Sequence, residues 1–166
     1  NFLALKDSKL LYKTLFEAAW ATLNQFGKNK GIQLGMIAIL HTWGQNLSLH
    51  PHLHCIVPGG GIDQNSKWKK KVRTDKYLFC VKAMSKVFRA KFVALLRASG
   101  IKDQDLMDKL FTKNWVVYAK RPFGGPKQVI EYLGRYTHKV AISNHRIKEV
   151  TDHEVRFGYK DYRKEG

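Results

Sequence analysis

The sequence predicts an α+β fold, an antiparallel sheet of about five strands with helices packed on it, and three observations lead there. Apolar residues recur at helical spacing in several stretches, short β-branched stretches lie between them, and Gly and Pro punctuate the boundaries. At 166 residues and 44% hydrophobic, the chain can bury one ordinary core, so residues 1–166 are read as a single domain.

The elements follow in order. Residues 8–26 put Leu11, Leu15, Ala18, Ala19 and Leu23 at helical spacing, and Gly27 is expected to stop that helix. Ile32 to Trp43 reads as a strand and His52 to Val57 as another. The loop between them, Asn46 to Pro51, suits an antiparallel hairpin, and Gly59, Gly60 and Gly61 make the next turn. A basic stretch, Lys67 to Phe79, includes a short strand around Trp68. Val81 to Ala98 is a helix with Met84, Val87, Phe88, Phe92 and Leu95 on one face, ended by Ser99 and Gly100. A brief helix near Gln104 to Phe111 precedes a strand, Trp115 to Ala119, and the loop RPFGGP. Pro126 then opens a helix that runs through Tyr136, in a position where its missing N–H costs nothing. Val140 to Ile142, Arg146 to Val150 and Val155 to Tyr159 read as short strands, and no repeat or low-complexity tract interrupts the chain.

Thirty Lys and Arg against thirteen Asp and Glu leave a formal charge of +17. Self-repulsion of that size disfavours compaction unless a polyanion is the usual neighbour, and nucleic acid is the simplest one. The basic residues are spread along the chain, which favours a charged groove over a disordered arm. Cys55 and Cys80, in no CxxC or zinc-finger spacing, are read as two buried thiols in a reducing compartment. No apolar run approaches the roughly 20 residues of a membrane span, and the start NFLALKDSK lacks a signal-peptide pattern, so a cytoplasmic location without membrane contact is expected. With no initiator Met and a charged end, the chain is expected to be a piece of a longer protein.

Two segments carry chemistry. In HPHLHCIV, strand alternation sends His50, His52 and His54 to one face, and two imidazoles at i and i+2 can grip one metal ion. His50 precedes Pro51 in the loop, so the inner pair, His52 and His54, is preferred. A catalytic metal usually takes a third protein ligand. If residues 46–51 close the hairpin, Gln45 lies opposite His52 and supplies it; His41, four residues back on the same face, is the competitor. In QVIEYLGRYTHKVAIS, Tyr132 and Tyr136 stand one helical turn apart. Val129, Ile130, Leu133 and Val140 can supply the packing, while Gly134, Arg135, His138 and Lys139 surround the tyrosines with positive charge that favours phenolate and phosphate. A phenol attacking a phosphodiester needs in-line placement and charge neutralisation, which a nearby divalent cation supplies.

These residues resemble the HUH endonucleases, named for two histidines flanking a hydrophobic residue, and among them the two-tyrosine transposases of rolling-circle insertion sequences. The resemblance runs through LHTWGQNLSLHPHLHCIVPGGGI, WVVYAKRPFGGP and YLGRYTHKVAISN to the closing FGYKDYR, and so covers essentially the whole chain. It implies that His52 and His54 are the metal-binding pair, holding Mg²⁺ or Mn²⁺, and that Tyr132 and Tyr136 are the catalytic tyrosines. It also implies single-stranded DNA, at transposon ends and target, as the partner, a 5′-phosphotyrosine intermediate, use at the nucleoid, and a homodimer as an assembly to test. Members of this family usually carry a Cys-rich zinc-binding segment ahead of this region, and this sequence has none. By analogy with single-tyrosine relatives, Tyr132 is expected to attack first.

For DNA contacts, Lys67, Lys69, Lys70, Lys71 and Arg73 beside Trp68, and Lys120 and Arg121 beside Phe123, combine charge with a stacking ring. Arg135, Lys139 and Lys160 are expected at phosphates near the chemistry, and Trp43 and Trp115 in the core. The rival reading is a non-catalytic single-stranded DNA- or RNA-binding domain, in which the same rings only stack and pack. A small-substrate metallohydrolase leaves the charge unexplained.

Overall fold

A computed structural model describes residues 2–70, 77–137 and 141–160, with the side chains of Phe2, Tyr136 and Thr137 left outside the description. A short helix α1 (Phe2–Lys6) leads into α2 (Ser8–Asn29), whose start is capped by the Asp7 carboxylate accepting the Leu10 N–H at 2.8 Å. Helix α2 does not stop at Gly27. Its buried stripe continues from Leu15, Ala18 and Leu23 to Gly27 itself. A Cβ on Gly27 would lie 2.9 Å from the Ile32 carbonyl oxygen, so the glycine admits the returning chain instead of ending the helix.

The expected strand Ile32 to Trp43 is divided. Gln33 bridges Ile62, and the strand proper, β1 (Ile37–Trp43), starts four residues later and pairs antiparallel with β2 (Leu49–Ile56). Gly44 to Ser48 form the turn, with Leu47 at φ 61° and the Asn46 side chain accepting the Ser48 N–H at 3.2 Å and its hydroxyl at 2.7 Å. Strand β3 (Gly60–Ile62) pairs with β4 (Trp68–Lys70), and after α3 (Val81–Ala98), α4 (Gln104–Thr112) and α5 (Pro126–Thr137), β5 (Ile147–Val150) pairs with β6 (Val155–Phe157).

The α+β class holds. Among the described residues, however, the strands form two-stranded antiparallel ladders instead of one sheet of about five. The largest shortfall is Trp115 to Ala119, which is not a strand. Its start is held by side chains: the Ser85 hydroxyl donates to the Trp115 carbonyl, and the Trp115 indole N–H donates to the Leu110 carbonyl at 2.8 Å. Residues 141–142 are likewise not in a strand, and Val140 lies outside the described residues.

The main core joins Leu15 and Ala18 of α2 to Phe92, Val93 and Leu96 of α3 and Met107 of α4, with Leu40 and Leu53 of the first hairpin packed against it. Trp115 belongs to this layer, its ring 4.9 Å from Phe92 and 5.3 Å from Phe88; Trp43 is half-buried and stacks on His41. Cys55 and Cys80 are exposed, contrary to the expectation of buried thiols: Cys80 sits at the N-cap of α3, and Cys55 near the end of β2. Among the described residues no helix is long and apolar enough to cross a membrane.

Candidate active site

Directly paired residues of an antiparallel ladder share a face. Leu40 and Leu53 are such a pair and point into the core, so the alternate pairs, His41 with His52 and Ile39 with His54, lie on the opposite face. Three imidazoles therefore gather on one side of the hairpin, and their ligand-capable nitrogens lie within 4.8 Å of one another. The ladder corrects the expected register, in which Gln45 faced His52. The turn takes Gly44 to Ser48, and His41 is the residue opposite. Gln45 is exposed in that turn, where its side-chain oxygen accepts the Lys160 N–H at 3.3 Å and its carbonyl accepts from the Arg146 guanidinium.

Hydrogen bonds fix which nitrogen of each ring carries a proton. His52 Nδ1 lies 2.7 Å from the His50 carbonyl, which can only accept, so this nitrogen is protonated and the His52 Nε2 lone pair points inward. His52 Nε2 in turn lies 3.1 Å from His54 Nε2, and His54 Nδ1 lies 2.9 Å from the Tyr132 hydroxyl. With neutral rings, the order runs one way: Tyr132 donates to His54, His54 to His52, and His52 to the His50 carbonyl. Neutrality is the favoured state. Desolvation, followed by the charges of His41, His52 and Lys120, lowers the His54 pKa to about 4, and burial is the main cause that lowers His52.

The donor set fits a divalent ion. Two nitrogens bound at right angles to an ion at about 2.1 Å stand about 3.0 Å apart, close to the spacing of the two Nε2 atoms. Neutral imidazoles keep their lone pairs available at pH 7, and the His52 bond to a backbone carbonyl is the outer contact that orients a ligating histidine.

Tyr132 arrives from α5, 78 residues further along than its hydrogen-bond partner His54. Pro126 opens that helix, and Phe123 in the preceding loop places its ring 5.3 Å from the Tyr132 ring. Tyr136 follows one turn later on the same helix, with its side chain outside the description. Of the expected DNA contacts, Arg121, Arg135, Lys69, Lys70 and Trp68 are exposed, and Lys69 also pairs with Asp63 at 3.5 Å. Lys160 is exposed beside Gln45; Lys71, Arg73 and Lys139 lie outside the described residues. Two contributors were not foreseen in their roles: Phe123 as a neighbour of the tyrosine, and Arg146, which ties the β1–β2 turn to the Gly158 carbonyl beyond β6. The aromatic inside RPFGGP was a signal for the first, and nothing in the local sequence marks the second.

Residues 35–166 match the family described as "Putative transposase", the Y2 transposases. The chain is 40% identical over 182 aligned positions to "Putative transposase y4qJ" of Sinorhizobium fredii (strain NBRC 101917 / NGR234), covering 97% of this chain and 45% of that protein. It is 26% identical over 167 positions to "Transposase for insertion sequence element IS801" of Pseudomonas savastanoi pv. phaseolicola, covering 94% of this chain and 41% of that one. The chain thus spans less than half the length of the curated relatives it matches. No solved structure matches it. With a family match over most of its length and a histidine hairpin that meets a helix-borne tyrosine, this chain belongs to the HUH two-tyrosine transposase family.

Proposed function

We propose that this chain cuts and rejoins single-stranded DNA during rolling-circle transposition, passing through a 5′-phosphotyrosine intermediate. The observation that carries the reading is the 2.9 Å contact between the Tyr132 hydroxyl and His54 Nδ1, which brings a nucleophile and a ligand-competent imidazole cluster to one point.

The chemistry proceeds on the chain's own groups. The Tyr132 oxygen attacks the scissile phosphorus, a Tyr–O–P bond forms, the P–O3′ bond breaks, and the net proton transfer is from the phenol to the departing 3′ oxygen. The strand retains its bond energy in the phosphotyrosine, so rejoining is the reverse attack by a 3′ hydroxyl and needs no nucleotide cofactor. Tyr132 makes the first cut and Tyr136, one turn on, accepts a second end. His52 and His54 hold the metal, with His41 as the third ligand in preference to Gln45, because His41 is the residue paired with His52. With a divalent ion bound, the cluster would supply Lewis-acid polarisation of the phosphate and stabilisation of the departing 3′ oxygen. Exposed Arg135 and Lys120, whose charge is felt at His54, neutralise the phosphate.

The test is a labelled single-stranded oligonucleotide carrying an element end, incubated with Mn²⁺ and resolved under denaturing conditions. A covalent adduct is expected, strongly reduced in Tyr132→Phe and absent when both tyrosines are Phe, while binding persists. Metal-independent binding with no adduct from the wild type would instead identify a non-catalytic binding domain. Mapping the adduct to Tyr136 alone would reverse the assigned order of the tyrosines.

A further inference from the structure

Between the aromatic core and α5, residues 115–120 show the alternating exposure of extended chain, without a strand partner among the described residues. Trp115, Val117 and Ala119 are half-buried, whereas Val116, Tyr118 and Lys120 are exposed, Val116 at 88% and Tyr118 at 79%. The row is fixed at both ends. Trp115 is held by Phe92, Ser85 and the Leu110 carbonyl, and beyond Lys120 the Phe123 ring rests against Tyr132.

A phenol ring held this far out of the protein on an anchored segment is free to meet a ligand, and its hydroxyl has no partner among the described residues. A protein strand could add to the open edge, but the charge of the row argues for another occupant. Lys120 shares the exposed side, about 6.7 Å along extended backbone from Tyr118, Arg121 follows it, and the chain carries +17. A single nucleic-acid strand offers both a flat base for the ring and a phosphate for the ammonium, and it is the ligand already required next door.

We propose that Tyr118 is a stacking platform for a base flanking the scissile phosphate, and that Lys120 meets a phosphate of the same strand. The location relative to the scissile phosphate rests on the nuclease reading; the stacking itself does not. Tyr118 is a positioning residue, since it touches neither the reacting atoms nor the histidines.

Binding of the protein to a fluorescently labelled single-stranded oligonucleotide, measured by anisotropy without metal over a salt series, tests this. Tyr118→Ala is expected to weaken binding about 5- to 150-fold, the loss typical of removing one base stack, with the salt slope unchanged. Tyr118→Trp is expected to bind like the wild type. Lys120→Gln should lower the slope of log K against log salt by about 0.7, one phosphate's share for a single strand. The proposal is overturned if Tyr118→Ala binds within twofold of wild type, if Tyr118→Trp is as weak as Tyr118→Ala, or if the substitution alters only self-association in sedimentation. The readouts separate the two readings: wild type that needs Tyr118 to bind yet forms no adduct sinks the nuclease, whereas an adduct-forming protein indifferent to Tyr118 sinks only the platform.

Discussion

At the scale of single residues, the histidine cluster makes the sharpest predictions. His52→Ala and His54→Ala should each lower Mn²⁺ affinity by more than the roughly 10- to 100-fold that loss of an outer contact costs, and His41→Ala should do the same, whereas Gln45→Ala should leave titration calorimetry unchanged. A pH effect follows from the low His54 pKa. In the metal-free folded chain it is about 4, against 6.5 for an unperturbed imidazole. Between those values the unfolded chain binds a proton that the folded chain refuses, so stability is complete above about pH 6.5 and falls as pH drops toward 4. The thermal midpoint of metal-free protein should therefore decline across this window, and His54→Gln should flatten the decline. The HxH pair was legible because strand alternation is a local rule. The third residue, His41, was legible only as the alternative to Gln45, because the choice depends on where the turn begins, and a five-residue turn with Leu47 in the left-handed region has no unique local signature.

At the scale of elements, periodicity located α2, α3, α4 and α5 to within a few residues, helped at α2 and α4 by a capping aspartate and at α5 by Pro126. Glycine was harder to read. Gly27 looked like a stop but serves a close crossing, and Gly60 and Gly61, expected as a turn, form a strand with no room for a side chain. A Cβ on Gly61 would stand 2.3 Å from the Gln33 carbonyl oxygen and one on Gly60 2.2 Å from that of Lys69. Backbone cannot yield as a flexible side chain does. Gly61→Ala should thus cost about 1–3 kcal/mol or more in urea unfolding, by the overpacking argument, while Gly125→Ala, with open space around it, should cost much less. The 115–119 segment has strand composition and strand exposure but no ladder, because pairing is a long-range event that alternation alone cannot guarantee.

At the scale of the whole molecule, one core ties the N-terminal helix to α3 and α4 and backs the hairpin that carries the histidines. Leu96 is fully buried at its centre, so Leu96→Ala should cost about 2–5 kcal/mol and, by loosening the support of Leu53, blunt metal binding as well. Charge acts at this scale too. Nucleic-acid binding should weaken on the order of 100-fold or more between about 50 and 200 mM salt if six or more phosphates are engaged. The histidine and tyrosine motifs made the transposase family legible in sequence. The Arg146 tether was not, because it joins residues 101 positions apart through a contact with no periodic signature.

The one-way hydrogen-bond order from Tyr132 to the His50 carbonyl has a temporal consequence. With His54 protonated on Nε2, the tyrosine spends its own hydrogen on the ring and is an idle donor. Ligation of His54 through Nε2 requires that proton to reside on Nδ1 instead, turning the imidazole to give a hydrogen to the phenolic oxygen. On the nuclease reading proposed above, arming of Tyr132 would thereby follow occupancy of the histidine cluster, and the ¹⁵N shift of His54 Nδ1 should report the changeover.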